Sequence, residues 1–175
     1  MLNRKAKTIT FRIYEDILDK IDSEAKRREI SLNKFTNQIF KNFLDWDMLQ
    51  SQAGMIPVAK PVIAEIFEKM TKEEIVDLAK RVGKDTMHDM VLFMKKNMNL
   101  QCFLSWIKMW IKKNSTAGFT YTKENDTHTC VMKHDLGENW SLYHKTTLEL
   151  IFKEVLNKSV DIDTSASMLR FTFKN

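Results

Sequence analysis

Three side chains at alternate positions, Thr8, Thr10 and Arg12, set out two hydroxyls and a guanidinium along one edge of a short stretch. Arginine offers a planar fork of donors to paired acceptors, and threonine adds a hydroxyl and a methyl, so the triplet suits recognition of a patterned polar surface. A second cluster is Ser31, Leu32, Asn33 and Lys34. Serine caps a helix that follows it, the first-turn N–H groups of Leu32 and Asn33 lack intrahelical acceptors, and the side chains of Asn33 and Lys34 add to an anion site there. A third is His128, Cys130 and His134, which period-two geometry puts on one face of a strand. These are metal-ligating types. Their spacing is not that of a zinc finger, Met132 shares their face as an ordinary core residue, and a strand histidine is usually hydrogen-bonded, so no metal and no cofactor are expected. No nucleophile elbow, Walker loop, HExxH pair or dinucleotide fingerprint occurs, and enzymatic activity is not expected.

The elements that must carry the first two clusters lie in residues 7–44. Strict alternation over residues 8–13 sends Ile9, Phe11 and Ile13 to one face and Thr8, Thr10 and Arg12 to the other, which predicts a strand. Ile17, Leu18, Ile21 and Ala25 then recur at helical spacing over residues 15–28, with acidic residues early and Lys26, Arg27 and Arg28 late. Ser31 opens a second helical stripe of Leu32, Phe35, Ile39, Phe40 and Phe43. About 38 residues are too few to bury a core unaided. A lone strand also has no partner within the segment. Both deficits vanish if two copies pair their strands into an antiparallel ribbon, with four helices closing over Ile9, Phe11 and Ile13.

The order Thr-x-Thr-x-Arg in the strand, an amphipathic helix ending in basic residues, and Ile30-Ser31 opening a second helix resemble the ribbon-helix-helix DNA-binding proteins of the MetJ/Arc/CopG type. The resemblance covers roughly the first 45 residues. It implies a ribbon inserted in the major groove of double-stranded DNA, with Thr8, Thr10 and Arg12 as base contacts. Arg12 would face guanine O6 and N7, and the threonines bases and the thymine methyl. Ser31, Leu32, Asn33 and Lys34 would meet phosphates. Many family members carry Gly between the helices where this chain has Glu29, which implies some strain or a different turn.

The chain has 175 residues, 43 % apolar and 29 % charged, with formal net charge +5; this fits a folded protein and is compatible with, though not diagnostic of, a nucleic-acid partner. Cys102 and Cys130 form no CxxC pair and no secreted-type framework, and no apolar run is long enough for a membrane span, so a cytoplasmic protein without membrane contact is expected. The pattern break near residue 46 divides the chain into a DNA-binding and dimerisation module (1–46), a linker (47–60) and a larger domain (61–175).

In that domain Pro61 starts a helix, Thr71 and Glu74 form a capping box for a second helix ended by Gly83, and a third follows from about Asp85 with Met87, Met90, Val91, Met94 and Met98 on one stripe. After a break at residues 97–99 comes a mostly apolar helix over 100–113. Strands follow at 118–122 and 127–134 around a turn at 123–126, then a helix over 139–157, then strands at 160–163 and 168–173. The expected class is therefore α+β, a ribbon-helix-helix module followed by helices packed on a small antiparallel sheet in ββαββ order. The turn His134-Asp135-Leu136-Gly137 predicts an Asx-turn at Asp135, positive φ at Gly137, and a helix capped by Asn139 or Ser141. The functional expectation is a homodimeric transcription regulator whose second domain senses a small-molecule or protein effector or adds subunit contacts. The alternative is a protein-interaction component such as an antitoxin, binding a partner protein through its C-terminal domain.

Overall fold

The computed structural model describes residues 6–50, 52–114 and 118–174, and the chain divides into two compact units, Met1–Met48 and Leu49–Asn175. In the first unit α1 (Glu15–Arg27) and α2 (Leu32–Asn42) follow the predicted periodicity. A π-helical turn, Phe43–Asp47, continues α2 into a short α3 (Met48–Gln50). Residues 6–14 form no strand in the single chain, contrary to the alternation reading. A strand is made by ladder hydrogen bonds, and one copy of this segment has nothing to pair with.

The second unit opens with α4 (Lys60–Lys69), with Pro61 in its first turn where a missing N–H costs nothing. Thr71 and Glu74 make the expected reciprocal capping box for α5 (Lys72–Leu78): Glu74 N–H donates to Thr71 Oγ1 at 3.2 Å, and Thr71 N–H to Glu74 Oε2 at 2.8 Å. The helix does not end at Gly83. It runs through a π-helical turn, Ala79–Gly83, into α6 (Lys84–Lys95), and Gly83 has a helical φ of -59°. Its role is spatial: a Cβ there would meet Thr147 Oγ1 at 2.5 Å and the Tyr143 hydroxyl at 3.0 Å. Lys96, left-handed at φ 60°, ends α6 instead. The methionine stripe buries Met87 and Met94 with Val91.

Next, α7 (Leu100–Asn114) buries Phe103, Trp106, Ile107 and Ile111. Strands β1 (Phe119–Glu124), β2 (Thr127–Lys133), β3 (Asp161–Ser165) and β4 (Met168–Lys174) form one antiparallel sheet in the order β1-β2-β4-β3. The β1–β2 turn is tighter than predicted, because Lys123 pairs with His128 and Glu124 with Thr127, leaving only Asn125 and Asp126 between the strands. Asn125 supplies the positive φ, 53°, that such a turn requires. Cys130, Met132, Leu169, Phe171 and Ile162 fill the buried face, while Thr129, Asp163, Arg170 and Thr172 lie on the opposite one, half-buried or exposed. Between the hairpins α8 (Gly137–Leu150) ends in a π-helical turn, Ile151–Val155, and packs on α4, α5, the Ala79–Gly83 turn, β3 and β4. The fold is thus α+β. Among the described residues no helix is long and apolar enough to cross a membrane.

Gly83→Ala removes a flexible residue from a helix, a gain of about 1 kcal/mol, but overpacks against fully buried Thr147, a loss of about 1–3 kcal/mol. The contact wins because Thr147 has no room to withdraw. Urea denaturation should show a net loss of about 1–2 kcal/mol, and a stabilised variant would contradict the close approach.

The centre of α8 also holds His144, whose ring lies 4.4 Å from Trp140, 5.1 Å from Tyr143 and 5.2 Å from Trp110 between centroids. Burial, with a lesser push from His134, takes its pKa down to about 3 from 6.5. Between those values the unfolded chain binds a proton that the folded chain refuses, so stability falls as pH drops through this window, by about 1.4 kcal/mol per pH unit. Above pH 6.5 the effect is absent. Denaturant midpoints measured from pH 7 to 4 should fall, and His144→Phe should flatten that slope.

Candidate nucleic-acid interface

The turn between α1 and α2 fixes where the second cluster sits. Glu29 N–H donates to Lys26 O at 2.9 Å and Ile30 N–H to Ala25 O at 3.1 Å, the paired bonds of a Schellman ending with Glu29 in the left-handed position at φ 55°. The turn is the one glycine would make, carried by a residue with a Cβ at a cost of about 1–2 kcal/mol. Ser31 then caps α2, its Oγ accepting from Lys34 N–H at 3.2 Å. That leaves the N–H groups of Leu32 and Asn33 directed out of the helix start, where the dipole favours an anion. Asn37 Nδ2 donates to both Asn33 O at 2.8 Å and Asn33 Oδ1 at 3.1 Å, so the Asn33 side-chain oxygen is occupied and its amide N–H groups are what it can offer a phosphate.

Charge in this unit separates into two groups. Arg27 and Arg28 both donate to Glu24, at 2.6 Å, and their hydrogen bonds hold the Glu24 carboxyl down at about 2. Lys26 pairs with Asp22 and Lys41 with Asp45. The basic end of α1 is therefore largely neutralised, whereas Lys7, Arg12 and Lys34 make no ion pair among the described residues. Lys7 was not singled out from the sequence. Its signal is a cation immediately before the alternating segment, with no acid beside it.

Thr8, Thr10 and Arg12 are all exposed. Lys7, Thr8, Ile9 and Phe11 share a groove of about 900 Å³ with Leu32 and Asn33, so the structure brings one end of the first cluster beside the second. Thr10 and Arg12 do not line it. The groove is apolar at its base, where the Phe11 and Phe40 ring centroids lie 5.8 Å apart. Ile9, Phe11 and Ile13 remain 69 %, 52 % and 43 % exposed.

The third cluster stays dispersed. Burial pushes the Cys130 thiol up to about 12, and no three histidine, cysteine or acidic side chains converge as metal ligands among the described residues. His134 accepts Leu136 N–H at Nδ1, 3.2 Å away, so its Nε2 carries the proton and donates to Ser141 Oγ at 2.8 Å. The Ser141 hydroxyl in turn donates to Ser165 O at 2.6 Å. This relay runs the wrong way to activate a serine. It corrects the reading of the turn as well. Asp135 pairs with Lys60 at 2.6 Å, Asn139 Nδ2 donates to Phe67 O and Met70 O at 2.7 and 2.8 Å, and neither Asn139 nor Ser141 caps α8. Long-range partners outcompeted the local ones that the sequence suggested. Gly137 does take positive φ, 84°.

Compared with known proteins, the chain matches no family model and no curated protein.

Proposed function

We propose that this protein is a homodimeric, sequence-specific binder of double-stranded DNA that regulates transcription in the cytoplasm. Two copies of residues 6–14 pair as an antiparallel ribbon that enters the major groove. The observation that carries the reading is the exposure of Ile9, Phe11 and Ile13 beside an apolar groove, next to a polar series that makes no ion pair. Full burial of an Ile or Phe side chain stabilises by about 1.5–3 kcal/mol, so six of them from two copies contribute on the order of 10 kcal/mol. That is commensurate with the cost of association, about 4–15 kcal/mol. Pairing in this register turns Thr8, Thr10 and Arg12 outward together. The unpaired N–H groups of Leu32 and Asn33, with Ser31 and Lys34, then clamp phosphates on either side. The second unit is larger than DNA anchoring requires, and we assign it the role of effector-responsive or oligomerising domain.

Sedimentation equilibrium of the full chain at micromolar concentration should give a dimer, and Phe11→Asp should give a monomer. A monomeric parent chain at that concentration would remove the ribbon.

Selection from random duplexes should yield a preferred site, against which Arg12→Ala costs about 1–3 kcal/mol and relaxes preference at one position. Lys34→Ala should weaken all duplexes alike and lower the salt slope by about 1. Equal effects of the two substitutions on selected and random DNA would sink the assignment of Arg12 as a base contact.

A further inference from the structure

The end of the sheet next to the β1–β2 turn gathers positive charge around one buried imidazole. His128 lies opposite Lys123 on β1 and Phe173 on β4, and cross-strand partners share a face, so this row sits on the helix-covered side of the sheet. Its ring stacks on Phe173, with centroids 4.9 Å apart and planes inclined by 12°. Tyr121 Oη lies 2.7 Å from Nδ1. The residue is 5 % exposed, and Nε2 has no hydrogen-bond partner among the described residues. A buried imidazole nitrogen without a partner is costly enough to need an explanation.

Three lysines from three elements surround this group. Lys123 is its strand neighbour, Lys108 of α7 sets its ammonium 3.3 Å from the centroid of the Tyr121 ring, and Lys158 follows α8. Burial lowers the pKa of His128, and the charges of Lys123, Lys108 and Lys158 lower it further, against an opposing effect of Asp126. All three ammonium groups therefore act on the ring. None makes an ion pair among the described residues, although Lys108 and Lys158 are half-buried. Converging cations without a counter-charge, above an unused ring nitrogen, are half of an anion site.

We propose that Lys108, Lys123 and Lys158, together with the Nε2–H of His128, bind a phosphate group. Tyr121 donates its hydroxyl to Nδ1, which keeps the ring proton on Nε2 and turns the orphaned nitrogen into a donor. The lysines act as point charges on flexible stems that cover the ring when the site is empty and swing to the phosphate oxygens when it is filled. The phosphate comes either from a small phosphorylated compound or from a nucleic-acid backbone. The site lies within the second unit and does not rest on the DNA reading of residues 6–14.

The test uses the full chain, titrated with inorganic phosphate and then pyrophosphate while chloride holds ionic strength constant, with the His128 ring resonance followed by NMR. The expected result is a saturable shift with a raised pKa for His128, since the anion favours the imidazolium. Lys123→Gln and Lys158→Gln should each weaken binding about tenfold, and Lys80→Gln, on the exposed side of another element, should leave it unchanged. The same lysine variants assayed on duplex DNA separate the sources. Lost DNA affinity alongside lost phosphate binding identifies a backbone phosphate, and unchanged DNA affinity identifies a free phosphorylated compound. No saturable shift at constant ionic strength, or one that survives in the Lys123→Gln/Lys158→Gln double variant, overturns the proposal.

Discussion

The second unit depends on one close approach, that of the Ala79–Gly83 turn to α8. With no side chain at Gly83, Thr147 and Tyr143 come to where a Cβ would stand, and α8 can then reach both the helical layer and the sheet. The rest of the unit is tied to α8 from that position. Asn139 holds the last carbonyls of α4, Phe67 O and Met70 O, which have no acceptor role left within their own helix. Ser141 joins the end of β2, through His134, to the β3–β4 turn at Ser165. One helix therefore satisfies polar groups of three neighbours while its apolar side fills the core.

What was legible in the sequence was what local chemistry decides. The Ser31 cap, the Thr71/Glu74 box, the left-handed ending at Glu29 and the alternation in β2 and β4 each depend on neighbours within a few residues. Gly83 was misread because glycine marks helix ends by its flexibility, whereas here it is needed for its size, and size matters only against a partner 64 residues away in the chain at Thr147. Asn139 and Ser141 were misread for the same reason. Their side chains prefer nearby N–H groups unless the fold offers buried carbonyls that would otherwise go unpaired. In the candidate site, the residue types were readable, but the neutralisation of Arg27 and Arg28 by Glu24 was not, since three charges on one helix turn allow several pairings.

The first unit shows the opposite balance between local and distant order. Its helices and turn are specified within the chain, yet Ile9, Phe11 and Ile13 have no core to enter. Alternation in residues 8–13 is a pattern for two faces, and a single copy supplies only one wall. The helices are amphipathic in the same sense, with Ile17, Leu18, Ile39 and Phe40 at the surface of the isolated unit. Such a segment encodes its partner's geometry in its own period.

The π-helical turn at Ala79–Gly83 makes residues 72–95 a helix of two registers. A turn of this kind holds one residue more than regular winding would, so the length of this segment is itself a structural parameter. Deleting any one residue from it would restore uninterrupted α-helical bonding, yet it would rotate everything beyond by about 100° about the axis. Met87, Val91 and Met94 would then leave the interior, and the charged flank of α6 would face inward. This stretch should consequently tolerate many exchanges of side chain while resisting any change in its number of residues.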